Sequence, residues 1–162
     1  MGEEKDLKYL ALCEIGAKLF STCGKRQYYA IILDANGRFA GAGYNGAPAG
    51  ATHCVDGGCP RFQNQTPAGA IYDDCVALHS EHNAISCTSP QSRWNGTIIV
   101  NGSPCWQCAK EIANSGLKRI VYLEDSYYRT DWPRVRESLL SWGMTLCGYN
   151  PSRLDFLLTR LG

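Results

Sequence analysis

Residues 97–116 read Thr-Ile-Ile-Val-Asn-Gly-Ser-Pro-Cys-Trp-Gln-Cys-Ala-Lys-Glu-Ile-Ala-Asn-Ser-Gly. The run Thr97–Val100 is short, apolar and β-branched, the pattern of a buried strand. Ser103 then reads as a helix N-cap, with Pro104 at the first helical position. The helix is expected to reach about Asn114, where Ser115-Gly116 stops it. Arg119–Leu123 follows as a second strand. Asp131 and Pro133 open a further helix that ends near Trp142-Gly143, and residues 144–148 form the last strand. Strands alternating with helices of this length predict an α/β sandwich with crossover connections.

Upstream of this stretch, apolar positions at helical spacing (Leu7, Leu10, Ala11, Ile15, Leu19) predict a helix over 7–20. Residues 28–33 and 39–44 flank the turn Asp34-Ala35-Asn36-Gly37-Arg38 and read as a hairpin. Residues 45–66 form a loop dense in Gly, Ala, Pro and Cys, long enough to call for a ligand site or a metal clip. Residues 72–86 read as helical. No repeat or interdomain linker interrupts the chain, and 162 residues suit one domain.

Sixteen basic and fifteen acidic residues leave a formal net charge of +1. That balance disfavours a long nucleic acid as partner, although a local basic pocket for one phosphate fits it. No apolar run has bilayer-spanning length, and Met1-Gly2-Glu3-Glu4-Lys5-Asp6 is too polar for a secretory signal. The expected location is cytoplasmic. In a reducing compartment the nine cysteines point to metal binding or buried thiols rather than disulfides.

His79-Ser80-Glu81 precedes Pro104-Cys105-Trp106-Gln107-Cys108. One imidazole and two thiolates suit Zn²⁺, and three protein ligands leave its fourth position open to water. Helix N-termini favour thiolates, so Cys105 and Cys108 in one first turn are good ligands. Glu81, two residues past His79, reaches the pocket without binding the ion and suits a proton-transfer role. A bare Cys-x-x-Cys is also consistent with a structural zinc clip or a redox pair. The upstream His-x-Glu favours the catalytic reading.

His-x-Glu followed by Pro-Cys-x-x-Cys resembles the signature of zinc-dependent nucleobase deaminases. The likeness extends to Ser21-Thr22-Cys23, Gly43-Tyr44-Asn45-Gly46-Ala47-Pro48, His53-Cys54, Asn83-Ala84-Ile85 and Ala109-Lys110. These segments fall in family order between about residues 21 and 128, and are similar to deoxycytidylate deaminases of the cytidine deaminase superfamily. The Gly-Tyr-Asn-Gly-x-Pro segment points specifically to deoxycytidylate.

The resemblance implies a three-layer α/β/α sandwich around a five-stranded mixed sheet, and hydrolysis of dCMP to dUMP and ammonia. It implies a homo-oligomer, usually a hexamer. In many members it also implies activation by dCTP and inhibition by dTTP, with Mg²⁺ accompanying the triphosphate. Asn45 would touch sugar or base, and Tyr127 would lie near the nucleotide. Arg26 is the phosphate candidate, with a solvated charge as its alternative. A core or interface aromatic is the alternative for Tyr127. A second, structural zinc would be held by Cys23, Cys54, Cys59 and Cys75, with His53 as substitute ligand; unliganded thiols are the alternative. The other readings are a deaminase of a related cytosine compound or of nucleic acid, and a non-catalytic nucleotide-sensing zinc module.

Four positions depart from the family pattern. Tyr28-Tyr29 replaces the usual Val-Gly beside the expected nucleotide pocket. Ser80 replaces a small Ala. His82 stands where an aliphatic residue is common and is read as lying behind the ligands or exposed.

Overall fold

The computed structural model describes residues 2–67, 74–124 and 131–159. Five strands form one sheet: β1 (Tyr29–Leu33), β2 (Phe39–Tyr44), β3 (Thr97–Val100), β4 (Arg119–Leu123) and β5 (Thr145–Tyr149). Their spatial order is β2-β1-β3-β4-β5. β1 runs antiparallel to both β2 and β3, while β3, β4 and β5 are parallel, so the sheet is mixed.

Alternation along the strands divides the core into two layers. Ala30, Ile32, Ile98, Val100, Ile120 and Tyr122 face one side, where they pack against Ala84, Ala109, Ile112, Val135 and Leu139. Those partners belong to α3 (Ser80–Ser86), α5 (Trp106–Asn114) and α6 (Trp132–Ser141). Ile31, Leu33, Ile99, Val121 and Leu123 face the other side, against Leu10 and Cys13 of α1 (Glu3–Phe20) and Leu154. The result is the expected α/β/α sandwich. Strands covered on both faces are predominantly apolar, which is why Ile98-Ile99-Val100 of β3 reads as an unbroken run.

α1 begins four residues earlier than its apolar spacing suggests. Asp6 makes its first turn look exposed, yet Asp6 is fully buried. Arg119 Nη1 donates to Asp6 Oδ1 at 2.9 Å, Arg119 Nη2 donates to Oδ2, and the Tyr149 hydroxyl donates to Oδ2 at 2.9 Å. The acid thus ties α1 to β4 and β5. The loop over 45–66 also holds more structure than expected: a 3-10 turn at Cys54–Asp56 and the short helix α2 (Pro60–Gln63). Beyond β3's approach, α4 (Pro90–Arg93), a 3-10 turn at Pro151–Leu154 and α7 (Asp155–Thr159) complete the described elements. No helix among the described residues is long and apolar enough to cross a membrane.

Candidate metal and nucleotide site

Two helix starts meet at the site. The helix expected over 72–86 begins only at Ser80. Leu78 forms a bridge with Gly46, accepting from its amide at 3.2 Å and donating to its carbonyl at 2.9 Å. Those backbone groups are therefore lost to any helical ladder. His79 becomes the extended N-cap residue, with φ −77° and ψ 153°. Across the site, α5 starts at Trp106, not at Pro104. Its N-cap is Cys105, whose Sγ accepts from the Cys108 amide at 3.4 Å. A sulfur takes the capping role expected of Ser103, because the metal-facing thiol needs the same free amide.

His79 Nδ1 lies 3.4 Å from Cys105 Sγ and 3.3 Å from Cys108 Sγ. Tetrahedral zinc with bonds of about 2.0 Å to nitrogen and 2.3 Å to sulfur needs N···S separations of about 3.5 Å. The donor set therefore fits a zinc ion through Nδ1. Among the described residues this is the one group of His, Cys, Asp or Glu that brings three ligand atoms within 4.8 Å of one another. The two thiols share a proton. A hydrogen bond from Cys108, joined by His79 and the Cys108 amide, draws Cys105 down to about 3. Cys108 keeps the proton and is pushed up, first by that hydrogen bond and then by burial.

Glu81 is 6% exposed and accepts from Ser80 Oγ at 3.1 Å. Burial raises its carboxyl above the ordinary range and the Cys105 charge adds to this, while His79 opposes it. Ser80, a departure from the family pattern, thus contributes a hydroxyl that holds the acid. His82 meets Glu111 at 3.2 Å through Nδ1 and is not among the clustered ligand atoms.

The triad opens into a cavity of about 330 Å³ lined by His79, Glu81 and Cys105 together with Asn45, Tyr28 and Arg26. That is the size range of small-ligand sites. Asn45 is 6% exposed and largely committed to scaffolding. Its Oδ1 accepts from Ser21 Oγ at 2.5 Å and the Tyr28 amide at 2.8 Å, and its Nδ2 donates to the Arg26 carbonyl at 2.7 Å. It shapes the wall formed by residues 21–28. Arg26 Nη1 donates to the Tyr28 hydroxyl at 3.4 Å. Of the two unusual tyrosines, Tyr28 alone lines the cavity; Tyr29 packs with Phe20, ring centroids 6.0 Å apart, and with the α1-side core. Tyr127 lies outside the described residues.

Cys23, Cys54, Cys59 and Cys75 all border the same cavity. Burial pushes Cys54 up to about 11, with the Gly24 amide opposing. Burial also acts on Cys59, but the backbone amides of Phe62, Val76 and Arg61 and the Cys54 thiol outweigh it and lower that thiol. The quartet is less closely gathered than the His79 triad. Lys25 and Arg61 also line the cavity and escaped sequence reading. Arg61 looks like any loop arginine, yet it is only 6% exposed.

The profile of the cytidine and deoxycytidylate deaminase zinc-binding region matches residues 3–124. Deoxycytidylate deaminase of Schizosaccharomyces pombe is 35% identical over 118 residues, covering 72% of this chain and 36% of that protein. Deoxycytidylate deaminase of Mycobacterium phage D29 is 36% identical over 111 residues, covering 65% and 84%. The chain thus spans about a third of the yeast protein and most of the phage one. In structure it resembles the dCMP deaminase of cyanophage S-TIM5, solved in complex with dCMP and dUMP. The TM-score is 0.68 and the identity 26%, covering 92% of this chain and 99% of the other. The paired helix starts, the His/Cys/Cys donor set and the profile match over 122 of 162 residues agree: the chain belongs to the cytidine and deoxycytidylate deaminase zinc-binding family.

Proposed function

We propose that this chain hydrolyses dCMP to dUMP and ammonia. The observation that carries the reading is Glu81: a buried carboxyl with a raised pKa, lining one cavity with His79 and Cys105. A purely structural zinc site has no use for such an acid. The relatives named deoxycytidylate deaminase support dCMP as substrate.

His79, Cys105 and Cys108 would hold the zinc. When bound, the ion supplies a Lewis acid that makes water a nucleophile at neutral pH. Glu81 accepts the proton of the attacking water and passes it to the ring nitrogen beside the amine-bearing carbon. It then takes the remaining proton from the hydroxyl added to that carbon and delivers it to the departing amine, so water is consumed and ammonia released. Burial holds the Glu81 carboxyl above the ordinary carboxylate range, which suits a group that must both take and give a proton. The cavity wall from Ser21 to Tyr28, braced by Asn45, positions the nucleotide. Arg26, in the cavity lining, would meet its phosphate, and Asn45 would offer its remaining amide proton to sugar or base. Tyr127 would lie near the nucleotide.

The same reading assigns a second, structural zinc to Cys23, Cys54, Cys59 and Cys75. Amide donors aimed at Cys59 stabilise a thiolate, as a metal ligand requires. A reducing cytoplasm suits nine free thiols. A homo-oligomer with dCTP and dTTP as effectors, and Mg²⁺ on the triphosphate, completes the proposal.

Glu81→Gln tests the assignment. The variant is expected to keep its zinc and lose turnover of dCMP by at least about 10³-fold, within the range of general acid–base catalysis. Deamination at the wild-type rate by that variant would remove Glu81 from the mechanism.

A further inference from the structure

We propose that Arg93 is a positioning residue for the metal site. It ties the far ends of α3 and α5 together and, with the His82–Glu111 pair, sets the two helices so that His79, Cys105 and Cys108 converge. The inference rests on the zinc reading above and adds to it three residues that stand outside the cavity lining.

Both helices begin at the site, α3 with His79 as its N-cap and α5 with Cys105. One guanidinium closes their other ends. Arg93 Nη1 donates to the Ile85 carbonyl at 3.0 Å and the Thr88 carbonyl at 2.5 Å, where α3 ends. Its Nε donates to the carbonyl of Ser115, the C-cap of α5, at 3.0 Å. Carbonyls at a helix C-terminus need partners from outside the helix and carry the negative end of its dipole, so a cation is favoured there twice over. The Asn95 amide donates to the Gly116 carbonyl at 2.8 Å and keeps the segment that carries Arg93 against the end of α5. Between the two ends, His82 Nδ1 of α3 lies 3.2 Å from Glu111 Oε2 of α5. His82 is a departure from the family pattern that the reaction itself leaves unused.

These ties matter because α3 has little grip of its own. It spans seven residues, and Ala84 is its one fully buried apolar side chain. Ala84 shares a core with Ala109 and Ile112 of α5. At 1.5 Å per residue α3 is about 10 Å long and α5 about 14 Å, so a shift of about 1 Å at the Arg93 end, turned about that packed middle, reaches the metal end almost undiminished. Metal–ligand distances hold only within about 0.2 Å. The rigid fork of Arg93 spans both helices, whereas a lysine would keep the charge and lose the fork.

The test loads the full chain with Co²⁺ in place of zinc, because its visible d–d and thiolate charge-transfer bands report ligand geometry. Bands missing from Cys108→Ser belong to the triad and set it apart from any other thiolate site. Chelator competition gives the affinity of the triad for the ion. Arg93→Met is expected to shift those bands and weaken binding by about 10–100-fold, the usual effect of losing a group that orients ligands from behind. His82→Ala should do the same to a smaller extent. Arg93→Lys should keep most of the thermal stability, since the charge stays near both helix ends, yet still show displaced bands. A loss of stability alone lowers the folded fraction and leaves band positions where they were. Wild-type bands and affinity in either Arg93→Met or His82→Ala would overturn the inference, as would their full recovery in Arg93→Lys. Should Arg93→Met not fold, the other two variants decide: displaced bands in both support the brace, and wild-type bands in either overturn it. A wild type whose spectrum matches that of Cys108→Ser would reject the zinc reading itself and the inference with it.

Discussion

Gly43 is a place where one added methyl should reach the active site. It sits in β2, where its backbone pairs with Ala30, and its open face lies directly against α3. A Cβ built there comes to 2.7 Å from the carbonyl carbon of Asn83 and the carbonyl oxygen of Ser80, and nearer still to the Ala84 amide nitrogen. All three obstacles are backbone, so no rotamer change relieves them. α3 must move outward by something close to 1 Å to restore ordinary contact distances. Overpacking of this kind costs about 1–3 kcal/mol, and a rigid obstacle places Gly43→Ala toward the upper end. The same displacement carries Glu81 and the His79 cap away from Cys105 and Cys108. Misplacement by about 1 Å costs on the order of 10²-fold in rate. Denaturant unfolding should therefore give a loss of about 2–3 kcal/mol. Turnover of dCMP by the folded variant should fall by about 100-fold. Wild-type stability together with a wild-type kcat would refute the close packing of β2 on α3 as the device that sets Glu81.

Other outcomes follow from the same coordinates. Asp6→Asn leaves Arg119 with a partly buried, half-matched charge and should cost about 3 kcal/mol in equilibrium unfolding. Its kcat should stay near wild type at temperatures where the variant is folded, since the clamp lies on the α1 face of the sheet. Glu81 predicts a pH signature in the metal-free protein. Its folded pKa is raised, so the native state holds a proton that the unfolded chain has released. Its contribution to stability is full below the ordinary carboxylate pKa and is lost as pH rises toward the raised value. Glu81→Gln should therefore match wild-type apoprotein near pH 4 and exceed it at pH 7, measured by thermal unfolding. Cys59→Ser should lower the bound zinc by one equivalent per chain and leave the His79 equivalent in place, as read by elemental analysis.

The sheet was legible where the chemistry is local. Thr97–Val100 and Arg119–Leu123 are easily bounded because, past the Thr97 and Arg119 that open them, strands covered on both faces run almost wholly apolar. Helix starts were less legible. Val76, Ala77 and Leu78 read as a helical approach to His79, but Leu78 spends its backbone groups on Gly46, a contact 32 residues away along the chain. Ser103-Pro104 has every mark of a cap, yet the thiol of Cys105 takes the amide. The first turn of α1 was missed because Asp6 is polar, and only the distant Arg119 and Tyr149 explain its burial.

The site shows the same division. His79, Glu81, Cys105 and Cys108 were readable because metal chemistry demands particular residue types at particular spacing, and the fold brings them together. Asn45 lines the cavity, but its three scaffolding bonds depend on how residues 21–28 turn over it. Arg61 carried no signal, since neither burial nor cavity lining is written in the order Cys-Pro-Arg-Phe.

In the proposed reaction, turnover requires one zinc ion held by His79, Cys105 and Cys108 together. Zinc content per folded chain, measured by elemental analysis for wild type and Cys108→Ser, tests it most directly. Wild type is expected to carry bound zinc, and the variant to lack one equivalent and to show no measurable turnover of dCMP. A zinc-free but active wild type, or a folded Cys108→Ser with undiminished zinc, would contradict it.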